Sequence, residues 1–267
     1  MSPPLATAET LGPDDGWPVL LIGGATWSRD WWDGIATAPL VRAGARVVRY
    51  DHRDTGEAEH WPPGAPGYTG ADLVTDALAV LDGLGIRAAH VIGLSMGGGI
   101  ARELALTHRD RVSGLTLIAT TAVDPRVTGL PGPDPSLAPG PELDDPVETI
   151  VEGERPCAGP GRFEEARVRA IARQVVARTR DLASATNHVL VAGDPTTGPD
   201  DLTALAGLPV TVVHGSADPV FPLAHGHALA AAIPGAELAV VEGMGHQLPP
   251  ERDWEPVVGT VFSRARR

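Results

Sequence analysis

The sequence predicts an α/β fold: a mostly parallel central sheet with helices on both faces and a short lid inserted between core strands. Three observations carry this. Short apolar runs alternate with amphipathic segments along the 267 residues, a Gly-x-Ser-x-Gly turn at Gly93 to Gly97 sits between one such run and one such segment, and a stretch dense in Pro and Gly interrupts the alternation after Ala119.

The elements follow in chain order. Val19 to Ile22 reads as the first strand, followed by Gly23-Gly24-Ala25 and a tryptophan group at Trp27, Trp31 and Trp32. Ala45 to Tyr50 is the next strand and ends in the Asp51 to Gly56 turn. Leu73, Val74, Ala77, Leu78 and Leu81 recur at helical spacing, so Ala71 to Gly83 is an amphipathic helix lying on the sheet. Ala88 to Ile92 is a buried strand and Ile100 to Leu106 a helix, with the glycine-flanked serine between them. Val112 to Ala119 is a further buried strand. From Val123 to Pro160 apolar periodicity is lost, which predicts no contribution to the core, whereas Arg162 to Leu182 has helical character with Val168, Ile171, Val175 and Val176 on one side. Leu208 to Gly215, a helical Leu223 to Ala232 and Ala236 to Val241 complete the alternation. The expected division is a core of residues 1–122 and 200–267 around a lid of residues 123–199.

The chemistry is written at three strand ends. A serine with glycines at −2 and +2, directly after an apolar run, is the nucleophile elbow: the chain turns sharply from strand to helix, and only small flanking residues leave room for the strained serine. Thirty-two glycines in the chain make the bare pattern weak, so its context decides. The backbone N–H of Met96 opens the following helix and aims at a developing oxyanion, and the N–H of Gly24 is the expected second donor, with Ala25 the nearest alternative. The required order of serine, acid and histidine is met. The turn Gly215-Ser216-Ala217-Asp218-Pro219 presents Asp218 as the candidate acid. The loop Glu242-Gly243-Met244-Gly245-His246 offers His246 as the base. Asp124, after the Val112 to Ala119 strand, is the competing acid.

Four separated segments carry a resemblance: Gly93-Leu94-Ser95-Met96-Gly97, Arg49-Tyr50-Asp51-His52-Arg53-Asp54-Thr55-Gly56, Gly215 to Pro219, and Gly243-Met244-Gly245-His246-Gln247-Leu248-Pro249. Together they resemble the α/β-hydrolase superfamily, and within it the aclacinomycin methylesterase type of polyketide-tailoring hydrolase. The likeness runs from about Val19 to about Pro250 and excludes the middle, where Thr120 to Leu202 reads as shorter and dissimilar. It implies cleavage of a methyl ester or lactone of a hydrophobic natural product, with Ser95 as nucleophile, His246 as base and Asp218 as orienting acid. The same fold and three residues also serve C–C bond hydrolysis, lyase and cofactor-free perhydrolase chemistry in that superfamily, which is the alternative reading.

Composition narrows the field. The length fits one domain with an insertion. All 21 basic residues are arginine, so lysine Schiff-base chemistry is excluded. A net charge of −13 argues against a nucleic-acid groove and against anionic membranes. The single cysteine, Cys157, forms no internal disulfide and reads as a spectator, which fits a reducing cytoplasm. Met1 to Leu5 reads as neither leader nor membrane span. No metal or cofactor is expected, since His225 and His227 lack a zinc-binding spacing and read as solvent-facing. His214 reads as structural, and Asp51 to Asp54 as an arginine–carboxylate network behind the oxyanion loop. Ala25, Trp27 and Trp31 are the candidate pocket residues, where the indoles would stack on a flat substrate. The expected partner is a small hydrophobic ester, and the expected state a monomer or homodimer.

Overall fold

The computed structural model describes residues 7–124, 126–137, 140–192, 201–254 and 258–259. The N-terminal stretch Met1 to Leu5 and the expected lid boundary at 199/200 lie outside them. Among the described residues seven strands form one sheet: β1 (Glu9–Leu11), β2 (Trp17–Ile22), β3 (Ala45–Arg49), β4 (Ala89–Leu94), β5 (Val112–Ile118), β6 (Val210–Gly215) and β7 (Glu237–Val241). Their spatial order is β1-β3-β2-β4-β5-β6-β7, with β1 antiparallel to β3 and every other pair parallel.

Each central strand is buried on both faces, which explains why it reads as a continuous apolar run. Alternate residues go to opposite faces. Val19, Leu21, Val47, Ile92 and Val213 join one core with Trp27, Trp31 and Trp32, whereas Leu20, Ile22, Val48, Val91 and Val212 join the other. Helix α1 (Thr37–Arg42) contributes Leu40 to the first core; α2 (Gly70–Gly83) and α3 (Met96–Thr107) contribute Leu73, Val80, Ile100 and Leu104 to the second. The start of α2 is fixed by a capping box, in which Thr69 accepts from the Asp72 N–H and Asp72 reaches back to Thr69.

Between β5 and β6 lie α4 (Pro146–Glu154), α5 (Glu165–Arg178) and the short α6 (Asn187–Val191). The expectation that Val123 to Pro160 stays out of the core is corrected here. Asp145 caps α4 through its carboxylate, Pro146 occupies the first turn where its missing N–H costs nothing, and Val151 is fully buried. Helix α5 buries Val168, Ile171 and Val175 as its spacing predicts. Helix α7 (Ala224–Ala232) links β6 to β7. No helix among the described residues is long and apolar enough to cross a membrane.

The topology sets the site. From β2 the chain moves outward to β3, then crosses back to β4 on the other side of β2. Such a reversal opens a crevice at the carboxyl ends of the two strands. Ile22 is in register with Gly93, and Gly215 with Val241, so all four loops that leave these strands emerge from one edge of the sheet.

Candidate active site

Ser95 stands at the top of β4 with φ +53° and ψ −118°, outside the regions a side-chain-bearing residue ordinarily occupies. Holding it there costs about 1–3 kcal/mol. The Ser95 N–H donates to Ile118 O and the Thr120 hydroxyl to Ser95 O, both at 2.9 Å, so strand β5 bears part of the strain. The flanking glycines are a steric requirement. A Cβ on Gly93 would lie 2.1 Å from Gly97 O, and one on Gly97 would lie 2.1 Å from Ile22 O.

His246 reaches the serine from the far side of the sheet edge. Its Nε2 lies 2.9 Å from Ser95 Oγ, and its Nδ1 lies 3.0 and 3.2 Å from the two Asp218 oxygens. Only one assignment serves both contacts: Nδ1 donates to the carboxylate, leaving Nε2 to accept the serine proton. Asp218 Oδ1 also accepts the N–H groups of Val220 and Phe221, at 2.9 and 2.8 Å, which fixes the rotation of the carboxylate. Burial opposes the charge on Asp218, but the hydrogen bond and charge of His246, together with the Phe221 N–H, outweigh it and hold the carboxyl below the usual aspartate range. The Phe221 ring meets the imidazole edge to face at 5.5 Å. The His246 N–H donates to Cys157 O at 2.7 Å, so the segment between β5 and β6 holds His246 in place. That contact is close enough to need Gly245, where a Cβ would stand 2.2 Å from Cys157 O.

Asp124, the competing acid, has a different partner. Asp124 is wrapped by Arg126, whose Nε and Nη2 donate to both carboxylate oxygens, and that pairing pulls its carboxyl down to about 2. His214 is fully buried, donates to Phe221 O at 2.7 Å and keeps its structural reading. His225 corrects the expectation of solvent exposure: it is buried, with one ring nitrogen on the Thr121 hydroxyl and the other on Pro131 O, because the face of α7 that carries it packs on the chain leaving β5. His227 is exposed as expected. The Asp51 to Asp54 turn is an arginine–carboxylate network. Arg53 grips Asp76 of α2 through two bonds, and Arg178 of α5 reaches Asp51. His52 is turned toward the other loop, with Nε2 donating to Gly23 O at 3.1 Å.

Gly24 lies against the serine: a Cβ there would be 3.6 Å from Ser95 Cβ and 3.0 Å from Leu94 Cδ2. Met96 is the first residue of α3, where a helix N-terminus leaves backbone N–H groups without intrahelical partners. A cleft of about 170 Å³ is lined by Trp27, Trp31, Phe163, Arg167, Gln247 and Leu248 among others; Ser95, Asp218 and His246 are not in its lining, although Gln247, which follows His246 in the chain, is. Trp27 and Trp31 stack at 4.9 Å and 12°, so both indoles serve the core and the cleft wall at once. Ala25, half-buried, is not part of that wall. Sequence reading passed over Glu154, which faces the cleft, accepts from the Trp27 indole at 3.3 Å and is pushed up to about 6 by burial. Nothing in its surroundings in the chain marks it. Among the described residues no group of three or more His, Cys, Asp or Glu could hold a metal ion.

The model of the alpha/beta hydrolase fold family matches residues 18–153, just over half of the chain. This chain belongs to the α/β-hydrolase family. A rhodomycin D methylesterase, DnrP, from Streptomyces peucetius is 34% identical, with 97% of this chain and 94% of that protein covered. The match therefore runs through the middle stretch that sequence reading had set apart. Among solved structures, a hydrolase from Pseudomonas aeruginosa PA01 is 27% identical with a TM-score of 0.70, covering 96% of this chain and 92% of that one. A meta-cleavage product hydrolase from Pseudomonas fluorescens IP01 has a TM-score of 0.73 over 98% of this chain and 97% of its own; at 21% identity it shares the fold alone. Ser95, Asp218 and His246 lie on three loops at one sheet edge and within hydrogen-bond distance in series.

Proposed function

We propose that this protein is a carboxylic-ester hydrolase that removes the methyl group from an esterified, hydrophobic polycyclic natural product. The observation that carries the reading is the unbroken relay from Asp218 through His246 to Ser95, at 3.0 and 2.9 Å. Ser95 attacks the ester carbonyl while His246 Nε2 takes its proton; Asp218 stabilises the imidazolium that forms. The N–H groups of Met96 and Gly24 receive the oxyanion. The imidazolium returns its proton to the departing methanol, and a water deprotonated by the same nitrogen releases the acid from the acyl-enzyme.

The substrate class rests on one support. The relative from Streptomyces peucetius is named for demethylating rhodomycin D and matches over nearly its whole length. The test is methanol release from anthracycline methyl esters, followed by mass spectrometry of the free acid. The wild-type protein should turn over such esters with a higher kcat/KM than p-nitrophenyl butyrate, and Ser95→Ala should turn over neither. Efficient cleavage of p-nitrophenyl esters with no polycyclic methyl ester accepted would refute the substrate class and leave the reaction standing.

A further inference from the structure

The loop leaving β2 is held by two histidines from distant parts of the chain. His52 Nε2 donates to Gly23 O at 3.1 Å. Three residues on, the Thr26 N–H donates to His188 Nδ1 at 2.9 Å, and Nε2 of that ring reaches Arg53 O at 2.7 Å. A peptide N–H can only donate and a carbonyl only accept, so His188 is neutral with its proton on Nε2. Both rings are buried and meet edge to face at 5.8 Å. Burial is the main force that keeps His188 uncharged.

Gly24 lies between these two anchors, and the loop needs them. Thr26 is β-branched yet sits at φ +66°, a backbone conformation that such a residue rarely adopts. The Trp27 N–H closes back on Gly24 O at 3.2 Å, so the position of Thr26 is passed to the peptide between Gly24 and Ala25, while the adjoining peptide, which carries the Gly24 N–H, is held through Gly23 O by His52. We propose that His188 is a positioning residue for the oxyanion hole: by accepting the Thr26 N–H it holds the Gly24–Ala25 peptide on one side of Gly24 as His52 holds the Gly23–Gly24 peptide on the other, and because it belongs to α6 it ties the hole to the seating of the segment between β5 and β6. The proposal rests on the Ser95 mechanism above, although His188 itself touches neither Ser95 nor the base.

The test compares the wild-type protein with His188→Ala and His188→Asn, since an Asn Oδ1 can occupy the place of Nδ1. Three readings are taken: amide hydrogen exchange at Thr26, kcat and KM for p-nitrophenyl butyrate, and the thermal midpoint. The Ala variant should lose protection at Thr26 and about 10- to 100-fold in kcat, with KM within about twofold, because a misaimed donor is felt in the transition state. The Asn variant should restore most of both. An Ala variant that loses thermal stability but keeps its kcat would overturn the proposal, as would an Asn variant that recovers Thr26 protection without recovering kcat. Where the Ala variant fails to fold, the Asn variant alone decides on that second criterion. If Ser95→Ala retains wild-type turnover, the ester mechanism falls and the catalytic part of this proposal with it; Thr26 exchange then shows that the site assignment failed rather than the loop contact.

Discussion

At the scale of single residues the site is an arrangement of proton positions. Asp218 Oδ1 is already taken by two peptide N–H groups, which leaves Oδ2 to face His246 at 3.0 Å. Exchange for asparagine would keep the oxygen on those N–H donors and turn the NH2 toward the imidazole. His246 would then carry its proton on Nε2, facing Ser95 with a donor where an acceptor is needed. Asp218→Asn should therefore lower kcat by roughly 10⁴-fold with little change in fold, read by steady-state kinetics beside circular dichroism. The elbow supplies a second residue-scale expectation. Gly97→Ala would drive a methyl into the Ile22 carbonyl, displacing the end of β2 and with it Gly24. Loss of one oxyanion donor corresponds to about 10²- to 10³-fold in kcat, and unchanged kinetics in this variant would contradict the placement of the hole.

At the scale of elements, Arg178 ties the C-terminal end of α5 to the turn after β3. Arg178 reaches Asp51, at the end of β3, and Asp30, both buried carboxylates, as well as the more exposed Glu57. Removing it leaves buried charge without its partner, at a cost of about 3 kcal/mol. Arg178→Met should lower the thermal midpoint by roughly 5–10 °C in a chain of this size, and a midpoint within 1–2 °C of wild type would show that Arg29 alone neutralises Asp51. Elements differ in how clearly the chain announces them. Strands β2, β4, β5 and β6 are legible because strands buried on both faces must be apolar throughout, and their observed bounds fall within two residues of those expected. Helix α3 begins four residues before its apolar spacing because Met96 to Gly99 carry little periodic signal. Strand β1 was missed: three residues against β3 leave no pattern to detect. Helix α1 is only six residues long and α4 lies in the stretch without apolar periodicity, so neither was expected; Pro39 and Pro146 sit near their starts, where proline is tolerated. Ser95, Asp218 and His246 could be singled out from their order at strand ends, and the structure brings their side chains together. His188 was not, since its partner Thr26 lies 162 residues away and neither carries a local signature.

Across the whole molecule, burial of neutral histidines couples stability to pH. Burial pushes His52 and His90 down to about 3 and also lowers His188 and His214. Below the ordinary value of 6.5 the unfolded chain takes up protons on these rings while the folded chain does not. Their contribution is thus complete above pH 6.5 and is lost as the pH falls below it. Glu154 acts in the opposite sense: raised to about 6, it holds a proton in the fold between pH 4.5 and 6 that the unfolded chain releases, which favours the fold on acidification. Four rings outweigh one carboxyl. The thermal midpoint should fall by at least about 5 °C between pH 7 and pH 5, and a constant or rising midpoint would contradict the assignment of these rings as neutral.

The central claim is that Ser95, made nucleophilic by His246 and Asp218, carries the acyl group. The most direct measurement is peptide mapping by mass spectrometry after brief exposure to a fluorophosphonate, on the wild-type protein and on Ser95→Ala. One adduct is expected, on Ser95, with none in the variant and ester turnover abolished there. An adduct on another serine, or undiminished turnover by Ser95→Ala, would contradict it.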